Sequence, residues 1–319
     1  QVLNGEQTSE TGYLKEVVQI DAMGGTGRDG KNRFGTSLAV TESKEVYGWG
    51  NSLYGALGVK SSIVSKPVRV ATGISTAVQV AGGGKSGSDD WHVNNIGNTG
   101  YTYILKEDGT VSSLGYNVNG ELGNGANTST TNVCTVQGLT NVAQIAGSKD
   151  GNFGAAVKED GTVWTWGSNT YGQLGNGSSV NSMLPVQVKS ADGNSFLTDV
   201  VQISAGYVHS MALKKDGTVL AWGRNDGGQL GNNNTSNKSL PVQVKGGASG
   251  SEYLTDVVQV TAGNWHSMAL KANGTVYAWG WGQYGQLGNG YTTNSDDSDR
   301  YSYEKIYSAP VQVLNGAQT

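Results

Sequence analysis

The chain has 319 residues, with 50 glycines, four prolines, one cysteine, 14% charged residues and a formal net charge of −4. One cysteine excludes an internal disulfide framework, and singly scattered Lys and Arg leave no basic stripe to follow a phosphate backbone, so nucleic acid is not an expected partner. No apolar run is long enough to cross a bilayer and no signal peptide is present, so an exported form would be mature or a fragment.

In chain order, residues 1–16 read as the tail of a preceding repeat, opening on Gln1-Val2-Leu3-Asn4-Gly5. The first repeat, 17–76, starts with the β-branched run Val17-Val18-Gln19-Ile20 and continues through Trp49-Gly50 and the tetrad Gly55-Ala56-Leu57-Gly58. It closes on Pro67-Val68-Arg69-Val70, where proline at the start of a strand removes no interior ladder bond. Alternating apolar and polar residues in these runs are the period-2 signature of half-buried strands.

The second repeat, 77–140, carries Val78-Gln79-Val80, the turn Asp108-Gly109, Leu114-Gly115 where its neighbours have Trp-Gly, and Gly120-Glu121-Leu122-Gly123. An insertion from Gly83 to Gly100 contains Asp89, Asp90, Trp91 and His92, a candidate binding loop because binding residues favour loops on rigid scaffolds. No second histidine lies at ligand spacing from His92, so zinc is not expected. Cys134 aligns with the strand residues Val186 and Val242 and is expected to be a buried small hydrophobe.

Repeats at 141–198 and 199–255 bring Gln144 and Gln202, turns Asp160-Gly161 and Asp216-Gly217, Trp166 and Trp222, and two Gly-Gln-Leu-Gly tetrads. Asp-Gly pairs suit the positive φ of two-residue type I′ hairpins. His209 shares its repeat position with His266, Thr36, Tyr101 and Phe153, which marks a packing site. The fifth repeat, 256–319, holds Gln259, Asn273-Gly274, Trp279, Gly285-Gln286-Leu287-Gly288 and Pro310-Val311-Gln312-Val313. Its insertion carries Asp296, Asp297, Asp299 and Glu304, calcium candidates that lack the ordered loop of a calcium hand and fit a solvated loop better.

The marker glutamines recur at intervals of 57 to 65 residues, so each repeat has room for one four-stranded sheet. The expected fold is all-β, with five β-propeller-type blades of four antiparallel strands and the aligned tryptophans wedged between them. In its fixed order of strand, Asp-Gly-Thr-Val hairpin, Trp-Gly, Gly-Gln-Leu-Gly and Pro-Val, the repeat resembles the regulator of chromosome condensation family. That resemblance implies propeller blades. Members usually carry seven, so five imply a propeller that is open or completed between chains.

No nucleophile elbow, phosphate loop or paired His-Glu motif appears, so neither enzymatic activity nor a cofactor is expected. The neutral Asn/Ser/Thr surface favours a bacterial extracellular or cell-surface protein with a structural or adhesive role, a building block of a filament or longer array. Alternatives are a secreted protein-binding propeller such as an inhibitor, or a small-GTPase nucleotide exchange factor, the activity the resemblance implies. The Gln-Val-Leu-Asn-Gly segment recurs near both ends, so Gln1, Val2 and Leu3, or Gln312, Val313 and Leu314, are expected to pair with another copy of the chain, head to tail.

Overall fold

A computed structural model describes residues 13–26, 33–85, 99–247, 252–291 and 306–315. They form five antiparallel four-stranded sheets, each built from strands consecutive in the chain. The first comprises β1 (Val17–Thr26), β2 (Arg33–Thr41), β3 (Val46–Asn51) and β4 (Ile63–Val70). The second comprises β5 (Ala77–Gly83), β6 (Tyr101–Lys106), β7 (Val111–Gly115) and β8 (Thr130–Thr135). The third runs β9 (Val142–Gly147), β10 (Phe153–Lys158), β11 (Val163–Gly167) and β12 (Ser182–Gln187). The fourth runs β13 (Val200–Ala205), β14 (His209–Lys214), β15 (Val219–Gly223) and β16 (Lys238–Gln243). The fifth runs β17 (Val257–Ala262), β18 (His266–Lys271), β19 (Val276–Trp281) and β20 (Ile306–Gln312).

The Asp-Gly hairpins differ from the type I′ expectation. Gly109 N–H bonds Lys106 C=O at 2.9 Å and Lys106 N–H bonds Thr110 C=O at 3.0 Å. Gly109 has φ +70°, whereas Asp108 is not among the positive-φ residues. This is a type I turn followed by one left-handed residue, the three-residue hairpin with a glycine bulge. Aspartate is there for its side chain: Asp108 Oδ1 accepts from Thr110 N at 2.9 Å and Thr110 Oγ1 at 2.6 Å. The β2–β3 turn has the same form with Lys44, φ +61°, in the glycine's place.

Contact density divides the chain into two compact units. One comprises 1–159, 164–168 and 181–186; the other comprises 160–163, 169–180 and 187–319. Within the first, Leu38, Leu57, Val80 and Leu114 form one buried cluster, and Tyr103, Leu122, Val142 and Trp166 another. Within the second, Met211, Leu230, Val260 and Trp279 are buried together.

Three bonds recur between successive sheets. The carbonyls of the turn residues Lys44, Gly109, Gly161 and Gly217 accept from the next first strand, as in Val142 N–H to Gly109 C=O and Val257 N–H to Gly217 C=O. The marker glutamine clasps the next first strand with its whole carboxamide: Gln79 Oε1 accepts from Ile145 N at 2.9 Å while Nε2 donates to Ile145 O at 3.1 Å. Gln202 does the same to Val260. Finally, the tryptophan indole reaches back, Trp166 to Glu121 O at 2.8 Å and Trp279 to Gln229 O at 3.0 Å. Trp166, Trp222 and Trp279 are therefore wedges with their one polar atom satisfied.

Two residues differ from expectation. Cys134 is partly exposed. It lies on β8 opposite Ser113, on a strand that pairs on one side only, and Val136 two residues on is the buried one. Trp49 is only partly buried, while Trp166, Trp222 and Trp279 are fully buried.

Candidate functional site

The loops between third and fourth strands are fixed by a buried asparagine. Asn225 Oδ1 accepts from Leu230 N at 2.9 Å, and Nδ2 donates to Asn232 Oδ1, Asn234 O and Ser236 O. Asn117 and Asn169 make the same set, so three loops are rigid before any partner arrives. In the first repeat Ser52 takes this place, and beside it lies a cavity of about 510 Å³ whose lining includes Ser52, Tyr54, Ser129 and Thr131.

On the loop held by Asn225, Arg224 forms a two-bond fork with Asp226, Nε to Oδ1 at 2.8 Å and NH2 to Oδ2 at 2.6 Å. Its guanidinium lies 4.7 Å from the Tyr171 ring centre and 4.4 Å from that of Trp265. Trp265 in turn packs edge-on against Trp281 and tilted against Tyr207, both at 5.6 Å. Burial works against the Arg224 charge, yet its net pKa shift is upward because Asp226 and the neighbouring tyrosines favour the cation. The loop between first and second strands supplies Tyr207 and Trp265; the loop after the third supplies Tyr171 and Arg224, and Trp281 is the last residue of β19.

Such a cluster is pre-ordered for contact. A planar cation between aromatic faces gains cation–π attraction and gives up little side-chain freedom on binding. Arg, Trp and Tyr are also the residues that dominate protein interfaces. Among the described residues no group of three His, Cys, Asp or Glu side chains is placed to hold a metal.

The titratable side chains His209, at the start of β14, and Glu121, in the loop between β7 and β8, are buried. His209 is fully buried; Ser267 Oγ, 3.0 Å from its Nε2, donates onward to Gln229 O, so the ring must donate from Nε2. Its pKa falls to about 3, through burial first and His266 second. Glu121 takes the position held by glutamine in later repeats and accepts from Asn119 N and Nδ2, both at 2.8 Å. Burial pushes its pKa up to about 7.

The insertion candidates Asp89, Asp90, Trp91, His92, Asp296, Asp297, Asp299 and Glu304, and the end residues Gln1, Val2 and Leu3, lie outside the described residues. Gln312 pairs with Tyr277 within the fifth sheet, and Val313 N–H bonds Val276 O. Leu314 N–H bonds Gly288 O. Sequence reading concentrated on the insertions and missed Arg224 and Trp281. The available signal was their shared position after Trp-Gly, held elsewhere by Asn51, Tyr116 and Ser168.

Residues 36–319 match the family model described as the RCC1-like domain. The chain is 32% identical over 260 residues to the ultraviolet-B receptor UVR8 of Arabidopsis thaliana, covering 79% of this chain and 52% of the receptor. It is 30% identical over 263 residues to the E3 ubiquitin-protein ligase HERC2 of Homo sapiens, covering 81% of this chain and 5% of the ligase. It thus spans about half of one relative and a small part of the other. Human WBSCR16 superposes with a TM-score of 0.70 at 18% identity, over 98% of this chain and 73% of that one. Saccharomyces cerevisiae Prp20p, described with its binding to Gsp1p and histones, gives 0.67 at 24% identity, over 89% and 62%.

Proposed function

Because the chain belongs to the RCC1-like domain family, we propose that it is a non-enzymatic protein-binding module whose partner docks on the loop face carrying Arg224 and Trp265. The observation that carries this reading is the Tyr171–Arg224–Trp265 stack, an interface-type cluster locked in place by Asn225 and Asp226. That Prp20p is described as binding proteins supports it at the level of the fold. The finer reading is an extracellular or cell-surface unit with a structural or adhesive role; its support is the 14% charged composition with Asn, Ser and Thr supplying the polar surface.

The test is affinity capture from the host's own extract and culture medium, using the wild-type chain beside Arg224→Ala and Trp265→Ala. A protein retained by wild type and lost from both variants supports the reading. Identical retention on all three chains overturns the assignment of this face.

A further inference from the structure

The cavity beside Ser52, about 510 Å³, falls within the range of small-ligand sites, roughly 300–1,000 Å³. One wall is the loop after β3, with Ser52, Tyr54, Lys60 and Ser62. The other is Ser129 and Thr131, around the start of β8, so both walls belong to the first compact unit.

Two departures from the repeat leave room there. Asn117 spans its loop by donating from Nδ2 to Asn124 Oδ1, Ala126 O and Thr128 O, whereas the Ser52 hydroxyl, 2% exposed, reaches Val59 O at 3.4 Å. The chain is also one residue shorter from Leu57 to Pro67 than from Leu174 to Pro185. Tyr54 departs in its backbone: its φ is +63°, while its counterparts Asn119, Tyr171, Gly227 and Tyr284 are not among the positive-φ residues. An aromatic residue in that region is strained, and such strain gathers at ligand sites. Tyr54 is 41% exposed, and the buried Tyr116 ring holds it edge-on at 5.1 Å. An ordered aromatic ring therefore stands at the cavity wall.

The polar groups around that ring are unspent. The side chains of Tyr54, Lys60, Ser62 and Thr131 make no hydrogen bond or ion pair with any described residue. Lys60 brings a positive charge, and no carboxylate of the described residues joins it in the lining. Hydroxyls both donate and accept, which suits a ligand rich in hydroxyls. An ammonium calls for an anionic oxygen, and a rigid aromatic face suits a flat array of C–H groups. A pyranose ring bearing a carboxylate combines all three.

We propose that this cavity binds a hexuronic acid, with the C–H face of the sugar on Tyr54, its hydroxyls on Ser62 and Thr131, and its carboxylate on Lys60. The site goes beyond the protein-binding reading and shares no residue with the Arg224 face. Arg224→Ala leaves it unchanged, so the two readings fail independently.

The test titrates glucuronic acid and, as the neutral control, glucose into the full chain, read by calorimetry and by saturation transfer to the sugar protons. Wild type is expected to bind glucuronic acid at millimolar concentration and glucose at least about tenfold more weakly. Tyr54→Gly removes the ring while glycine adopts the positive φ without strain, so the fold is kept. Its affinity for glucuronic acid is expected to fall at least about tenfold. Tyr54→Asn replaces it if its thermal melt shows misfolding, since asparagine also tolerates that backbone. Lys60→Ala, at an exposed position, is expected to bind the two sugars equally. Wild type that binds no glucuronic acid, or binds glucose as tightly, would overturn the proposal. So would a Tyr54 variant with wild-type affinity, or Lys60→Ala that keeps the preference.

Discussion

The indole Nε1 of Trp222 donates a 2.9 Å hydrogen bond to the main-chain carbonyl of Gln173, in the tetrad of the preceding repeat. Ser210 Oγ donates to the same carbonyl at 3.0 Å, so one oxygen accepts twice from the following sheet. Repeat identity thereby becomes sheet-to-sheet adhesion, because every tetrad presents this oxygen and the tryptophans lie in register with it.

Trp222→Ala is expected to destabilise the chain by about 3–5 kcal/mol, from the cavity and the lost contacts together. Trp222→Phe keeps much of the apolar volume but leaves a donor place empty, and a smaller loss of about 1–3 kcal/mol is expected. Urea melts of both variants check the order. Equal losses would assign the effect to the missing hydrogen bond rather than to volume.

Gln202→Ala removes both bonds to Val260 and is expected to cost about 1–3 kcal/mol, since the Val260 amide is left without its side-chain acceptor. Gln259→Ala, at the same repeat position but exposed, is expected to fall within about 0.5 kcal/mol of wild type in dilute solution. Similar losses from the two substitutions would contradict the clasp.

Glu121 gives a pH dependence of known sign. Its folded pKa, about 7, lies above the ordinary 4.5, so the fold prefers the protonated acid. The stability that preference supplies is complete below pH 4.5 and is lost as pH rises through 7. Glu121→Gln supplies the same acceptor without a charge, as Gln173 does toward Tyr171 N. The variant is expected to melt higher than wild type at pH 8, with the gap closing toward pH 4.5. A constant gap across that range would remove the carboxyl group as its cause.

His209 acts in the opposite direction. Its folded pKa of about 3 lies below the ordinary 6.5, so the stability tied to the neutral ring is complete above pH 6.5 and is lost as pH falls toward 3. His209→Phe, borrowing the residue found at Phe153, is expected to flatten that acid limb. Thermal melts between pH 7 and pH 3 compare the two chains, and unchanged acid sensitivity in the variant would clear His209 of the effect.

Period-2 runs, the 57-to-65-residue recurrence and the order of Gln, Asp-Gly, Trp-Gly and Gly-x-Leu-Gly determined five four-stranded sheets from sequence alone, because each of those signals acts within about one repeat. Turn geometry was only half legible: Asp-Gly marks a hairpin, but whether aspartate supplies a positive φ or an acceptor for Thr110 depends on how the strands twist into the turn. The marker glutamines were visible as spacing, and only folding revealed them as clasps, since their partners lie a whole repeat away. Cys134 was placed in the core by alignment, yet an outer strand exposes what a central strand would bury. Arg224 stands at a repeat position legible after Trp-Gly, but its contact with Tyr171 and Trp265, one from each neighbouring repeat, came only with the stacking of the sheets, because side-chain reach between sheets is not written in the spacing.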